Sequence, residues 1–259
     1  MVRLGLPIPE PAALEDTTMK QSNFVTARIP LFFTFCVLVA GLTIPWGGQV
    51  LAADKNKEAP VVPPREGKSE TITLFNGKDL DGWEGYSQLW SVEDGVIVGK
   101  NSDPIKVSTY LLTKGKFSDF RLTATVKLVK SEMHSGIAFW GRVAPEQDKY
   151  TYAGHLVMFP SGWGMYDLFG RNGLPVDGGP AKKVGKQHDW NKLEILAQGN
   201  RVRVAVNGSK VVDWRDPEPD RIKEGPIGLQ LHANKEAQEV HFKDLVLTTF
   251  PEDKLTTLK

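Results

Sequence analysis

Two histidines, one arginine and a band of tryptophans carry most of the chemistry open to this chain. If Ser135–Arg142, the run around His155 and Gly225–Ala233 are extended, their side chains alternate between two faces. Ser135, Ile137 and Phe139 then share one face, and Gly136, Ala138, Trp140 and Arg142 share the other. Gly228, Gln230 and His232 point away from Leu229 and Leu231, while His155 shares its face with Val157 and Phe159. An imidazole near neutral pKa can take a proton, and a guanidinium can hold developing negative charge. A flat indole can stack on the C–H face of a sugar ring. The same alternation also describes the wetted side of any sheet.

A second cluster sits in residues 150–173, which combine aromatics and glycines with His155, Trp163, Tyr166, Asp167 and Arg171. Aromatic platforms on flexible backbone suit ligand binding; a turn capping the end of a sandwich has the same composition. Glu194 alternates with Leu193 and Ile195 on the polar side of its segment. Several patterns are missing. The chain has no Gly-rich phosphate loop, no nucleophile elbow and no His-Glu-x-x-His zinc helix. It also lacks a Glu-x-Asp-x-Glu strand, so hydrolysis by paired carboxylates is poorly supported.

The elements that must position these groups are strands. From Thr71 onward, short alternating runs are separated by turn residues, with Asp94-Gly95 and Asn207-Gly208 as hairpin signals. No helical periodicity exceeds about two turns. The pattern predicts an all-β fold, a two-sheet antiparallel sandwich over residues 71–250 with a tail over 251–259.

Ahead of that domain, Lys20 and Arg28 precede the apolar run Leu31–Ile44, a Pro/Gly break and the small residues around Ala52. That order predicts a secretory signal peptide over residues 1–52, with Met19 as the natural start of translation. The apolar core is about 14 residues, short of the roughly 20 that span a bilayer, so a membrane is a partner only if this leader stays uncleaved. The single cysteine, Cys36, lies inside it, leaving the exported part without thiol chemistry. Residues 53–70 are charged and proline-rich, as a flexible solvated linker would be. A net charge of +1 with no basic cluster argues against nucleic acid as a partner.

Several segments together resemble a known family, the 3-keto-disaccharide hydrolase domain. They are Leu74–Trp83 (LFNGKDLDGW), Trp90–Gly99 (WSVEDGVIVG), Thr109–Leu128, His134–Arg142, Trp190–Gly208, Gly225–His232 and Val240–Leu247. The resemblance implies a concanavalin A-like jelly roll and an exported enzyme that cleaves 3-keto-glycosides. A ketone at C3 acidifies the C2 proton; one base removes it, the glycosidic oxygen leaves C1, and water adds back. It implies His155 or His232 as the base and Arg142, or a bound divalent metal, as the enolate stabiliser. Trp140 and Trp163 would stack on the sugar, Asp167 and Gln230 would orient hydroxyls, and Tyr166, Arg171 and Glu194 would complete the substrate contacts. The sequence itself requires no cofactor. Two departures stand out. Trp140 occupies a position where many members carry Arg, and the strand at His155 lacks the family's Glu…Asp pattern. A non-catalytic, lectin-like carbohydrate-binding module on the same sandwich is the competing reading, and a purely structural exported domain is the third.

Overall fold

The computed structural model describes residues 58–160, 164–170 and 173–259. Among them the chain forms β1 (Thr71–Thr73), β2 (Trp83–Glu84), β3 (Trp90–Glu93), β4 (Val96–Asn101), β5 (Thr109–Thr113), β6 (Phe120–Lys130) and β7 (Ser135–Val143). There follow β8 (Tyr152–Phe159), β9 (Met165–Asp167), β10 (Asn191–Gln198), β11 (Arg201–Val206), β12 (Ser209–Arg215), β13 (Gly228–Leu231) and β14 (Gln238–Thr249). Helix is confined to short pieces such as α1 (Gly179–Lys182). The strands make two antiparallel sheets. One has eight strands in the order β12-β11-β10-β6-β14-β4-β3, with β1 also pairing β14; the other has six, β2-β5-β13-β7-β8-β9. This is the predicted sandwich.

Alternation explains why the sheets close on each other. In β6, Phe120, Leu122, Ala124, Val126 and Leu128 are buried while Arg121, Thr123, Thr125 and Lys127 face outward. They meet Ile137, Phe139, Val157 and Phe159 from the six-stranded sheet in one core, with Phe120 edge-on to Phe139 at 5.6 Å. Each fully buried side chain of this kind is worth roughly 1.5–3 kcal/mol against exposure. The predicted hairpin turns are present, with Asp94, Gly95, Asn207 and Gly208 all at positive φ.

One irregularity changes the faces. The β7–β8 register shifts between Phe139 and Arg142, and Trp140 sits at φ +53°. Phe139 and Trp140 are consecutive yet both enter the core. Only glycine fits next, because a Cβ on Gly141 would lie 1.9 Å from the Ala153 carbonyl oxygen.

The flanking segments are pinned to the eight-stranded sheet. Arg65 donates through its backbone N and its Nη1 to the Asp119 carboxylate at 2.7 and 2.6 Å. Asn200 accepts from Val62 N and donates to the Pro60 carbonyl. Residues 60–70 are largely exposed, as a linker should be, but from Pro60 on they are fixed in place rather than flexible. The C-terminal residues are held as well: Thr256 and Thr257 each donate a backbone N–H and a hydroxyl to the Glu194 carboxylate. The leader and residues 53–57 lie outside the described residues.

Candidate functional site

The outer face of the six-stranded sheet is where the non-core residues of β5, β13, β7 and β8 come together. Tyr110 pairs with Gln230, Leu112 with Gly228, Gly228 with Ala138, and Ala138 with Leu156. Tyr110, Leu112, Ala138, Tyr152, Leu156 and Met158 form a second apolar cluster here, flanked by Tyr150, Tyr166 and Val143. Gln230 Nε2 donates to the Tyr110 hydroxyl at 3.0 Å, which leaves the phenol proton free to be donated onward. Burial raises the Tyr110 pKa, so the phenol stays protonated. Gln230 Oε1 is buried and has no hydrogen-bond partner among the described residues. An unanswered buried acceptor asks for a ligand or water.

At one end of this face two imidazoles meet. His134 lies two residues before Gly136 and His232 two after Gln230; their ring centroids are 4.2 Å apart. Gln238 ties the two backbones, accepting from His232 N at 2.9 Å and donating to the His134 carbonyl. Burial lowers the pKa of His232, and burial plus its neighbour pushes His134 down to about 3. Both rings are therefore neutral at neutral pH, the state in which an imidazole accepts a proton. His232 is half-buried, and its Nδ1 has no partner among the described residues.

The other expected site residues go elsewhere, for identifiable reasons. His155 keeps the parity of Val157 and Phe159, which is the core parity. It is fully buried, stacked on Phe139 and ringed by Trp140, Phe169 and Trp214, with Nε2 2.6 Å from Asp216 Oδ2. In this structure it is a core histidine. Asp167, its register partner, is buried on the same inner side and accepts from Phe169 N. Trp140 is turned inward by the bulge and donates Nε1–H to the Ser118 carbonyl, so it is no stacking platform. Glu194 lies on the other sheet and holds the C-terminal tail. Tyr166 is half-buried at the rim of the outer face. Trp163 and Arg171 lie outside the described residues.

Arg142 is exposed and paired with Glu146 at 2.8 Å, the pairing that raises its pKa. It lines a cleft of about 420 Å³ with Leu112, Lys114, Val143, Lys223 and Pro226, inside the ~300–1,000 Å³ range of small-ligand pockets. Pro226 and His232 are six residues apart along an extended run, about 20 Å at ~3.3 Å per residue. Arg142 and His232 thus stand at opposite ends of the sheet. They cannot serve one sugar ring. No group of three or more His, Cys, Asp or Glu among the described residues is disposed to hold a metal ion.

The model of the 3-keto-alpha-glucoside-1,2-lyase-like domain matches residues 70–248. The chain belongs to this family. The match covers both sheets and places the chain among carbohydrate-active domains. Two crystal structures of candidate glycosyl hydrolases from Parabacteroides distasonis are similar to it. One is 23% identical, covering 70% of this chain and 94% of its own, with a TM-score of 0.52. The other is 19% identical, covering 70% and 100%, at 0.51. A galectin-like protein of unknown function from Bacillus subtilis, 12% identical, covers 72% and 99% at 0.50. At such identities the likeness is one of fold, the concanavalin A-like jelly roll. Among curated proteins no match was found.

Sequence reasoning missed His134. The signal was there: it shares the parity of Gly136 and Ala138, the rule that selected His232 on its own strand.

Proposed function

We propose that this domain cleaves glycosides carrying a ketone at C3, at the histidine end of the six-stranded sheet's outer face. His232 takes the C2 proton; the C2–H bonding electrons form the enolate across C2–C3, and the enolate then expels the glycosidic oxygen from C1, which takes the proton back from the His232 imidazolium as it leaves. Water then adds across C1=C2, its hydroxyl to C1 and its proton to C2, to complete a net hydrolysis. In this reading the Tyr110 hydroxyl, buried, protonated and aligned by Gln230, is the donor to the enolate oxygen once substrate reaches it. His134 buttresses His232 and, being neutral, leaves its basicity free of a neighbouring positive charge. The observation carrying the reading is this neutral, half-buried imidazole beside an unanswered amide oxygen, in a chain of this family. Export through the predicted leader is part of the proposal; amino-terminal sequencing of the secreted product should begin near Ala53.

The test is incubation with a 3-keto-glycoside in D2O. The native chain should release the aglycone and place deuterium at C2 of recovered substrate, and His232→Ala should lose both. The lectin-like reading has its own support, since the outer face is mostly apolar and tyrosine-lined and Arg142 stands at the other end of the sheet from His232. Saturable binding of the 3-keto-glycoside without deuterium uptake by the native chain would decide for it.

A further inference from the structure

On the far side of the sandwich, three arginines converge on the outer face of the eight-stranded sheet. Arg201 and Arg215 are register partners across β11 and β12, and Arg203 follows Arg201 on the same face. Together with Gln198, Asp253 and the Val61–Pro64 backbone run they line a cavity of about 70 Å³. That exceeds the ~10–15 Å³ one water needs and falls far below the ~300 Å³ of a sugar-sized pocket.

The charges inside do not balance. Arg201 is committed to Asp213 through two bonds of 2.7 and 2.8 Å, and Asp213 also accepts from Lys210. Arg203 is 9% exposed; its Nη2 reaches Gln198 Oε1 and the Asp253 carboxylate, while its Nε is buried with no hydrogen-bond partner among the described residues. The Arg215 side chain makes no ion pair or hydrogen bond among the described residues. Among the described residues one carboxylate, Asp253, lines the cavity against three guanidiniums. Burial and the nearby Arg201 and Arg215 disfavour the charge on Arg203, and its register partner Asp213, already engaged by Arg201, offsets them only in part.

We propose that this cavity is a binding site for one tetrahedral oxyanion, phosphate or sulfate, separate from the carbohydrate face. A dianion there would accept from the free Arg203 Nε–H and from Arg215, and would offset the mutual repulsion of the three cations. The size of the cavity favours the free ion over a phosphate ester on a sugar.

Calorimetric titration of the full chain at millimolar phosphate, with ionic strength held by chloride, tests the site. One phosphate should bind per chain. Arg215→Gln, which breaks no bond the described residues make, should weaken it at least tenfold. Asp253→Asn, which removes the competing carboxylate, should tighten it several-fold. Sulfate should behave like phosphate, and glucose 6-phosphate should bind at least tenfold more weakly; equal affinity for the ester would make the ester group the natural source of the oxyanion. Absence of saturable binding, or an unchanged affinity in Arg215→Gln, overturns the proposal.

Discussion

The two outer faces of this sandwich use the same strand geometry for opposite ends. Outside the six-stranded sheet, Tyr110, Leu112, Leu156 and Met158 bury one another and leave a neutral histidine pair at one end. Outside the eight-stranded sheet, charge dominates. Lys127 and Lys243 lie over Trp190 at 5.9 and 4.5 Å, Glu194 grips the tail, and the arginines cluster near β12. Burial on the first face keeps groups uncharged; the second face keeps its groups charged and, outside the Arg203–Arg215 corner, mostly paired. A face that shields a neutral imidazole is the better place for proton abstraction, and a face rich in charged and hydroxyl groups is the better place to fasten chain ends.

Four substitutions break or sharpen that contrast. The largest structural effect is expected at the bulge. Gly141→Ala would drive a methyl group into the Ala153 carbonyl and should cost about 3 kcal/mol or more, read by urea unfolding. Tryptophan fluorescence should report Trp140 moving toward water. Next is Glu194→Ala, which frees the tail and leaves four donors without their carboxylate. A loss of about 3 kcal/mol is expected, and deleting residues 255–259 in the same variant should cost little more, because the two share one interaction. Catalysis should survive this change, whereas it should not survive His232→Ala.

The third is pH-dependent. His134 has a folded pKa near 3 against about 6.5 unfolded, so the unfolded chain binds the extra proton between those values. Its contribution is intact above about pH 6.5 and is lost as pH falls, by up to ~1.4 kcal/mol per pH unit. Melting curves from pH 7 to 4 should therefore show a steep decline in the native chain and a shallower one in His134→Asn. A native profile as shallow as the variant's would mean the imidazole is not held neutral. The smallest effect belongs to Trp190→Ala, which removes two lysine–ring contacts on the charged face. About 0.5–1 kcal/mol of stability should go, with turnover of the 3-keto-glycoside unchanged.

The sandwich could be read from the chain because alternation and turn chemistry are local. β6 shows the pattern over its whole length, and Asp94-Gly95 and Asn207-Gly208 mark hairpins by composition alone. The site was less legible because face assignment is cumulative: one bulged residue reverses every parity beyond it. That is why Trp140 was expected beside Gly136 and Ala138 and lies instead against Phe139. His155 is a different case. Its parity was read correctly, with Val157 and Phe159, and parity alone already placed it inside. Its partner Asp216 is 61 residues away and invisible to any local pattern. Glu194 could not be understood without the tail that covers it, since Thr256 and Thr257 lie 62 and 63 residues downstream.

Pro60 is fastened at the β10–β11 turn through Asn200, and Lys259 donates its backbone N–H to Gly208 in the β11–β12 hairpin. The two ends of the folded domain are therefore both held beside β11 of the eight-stranded sheet, one at each end of that strand, about 20 Å apart at ~3.3 Å per residue. Anything covalently joined there, whether a purification tag, a neighbouring module or a surface linker, is attached beside the eight-stranded sheet, away from the tyrosine–histidine face of the other sheet.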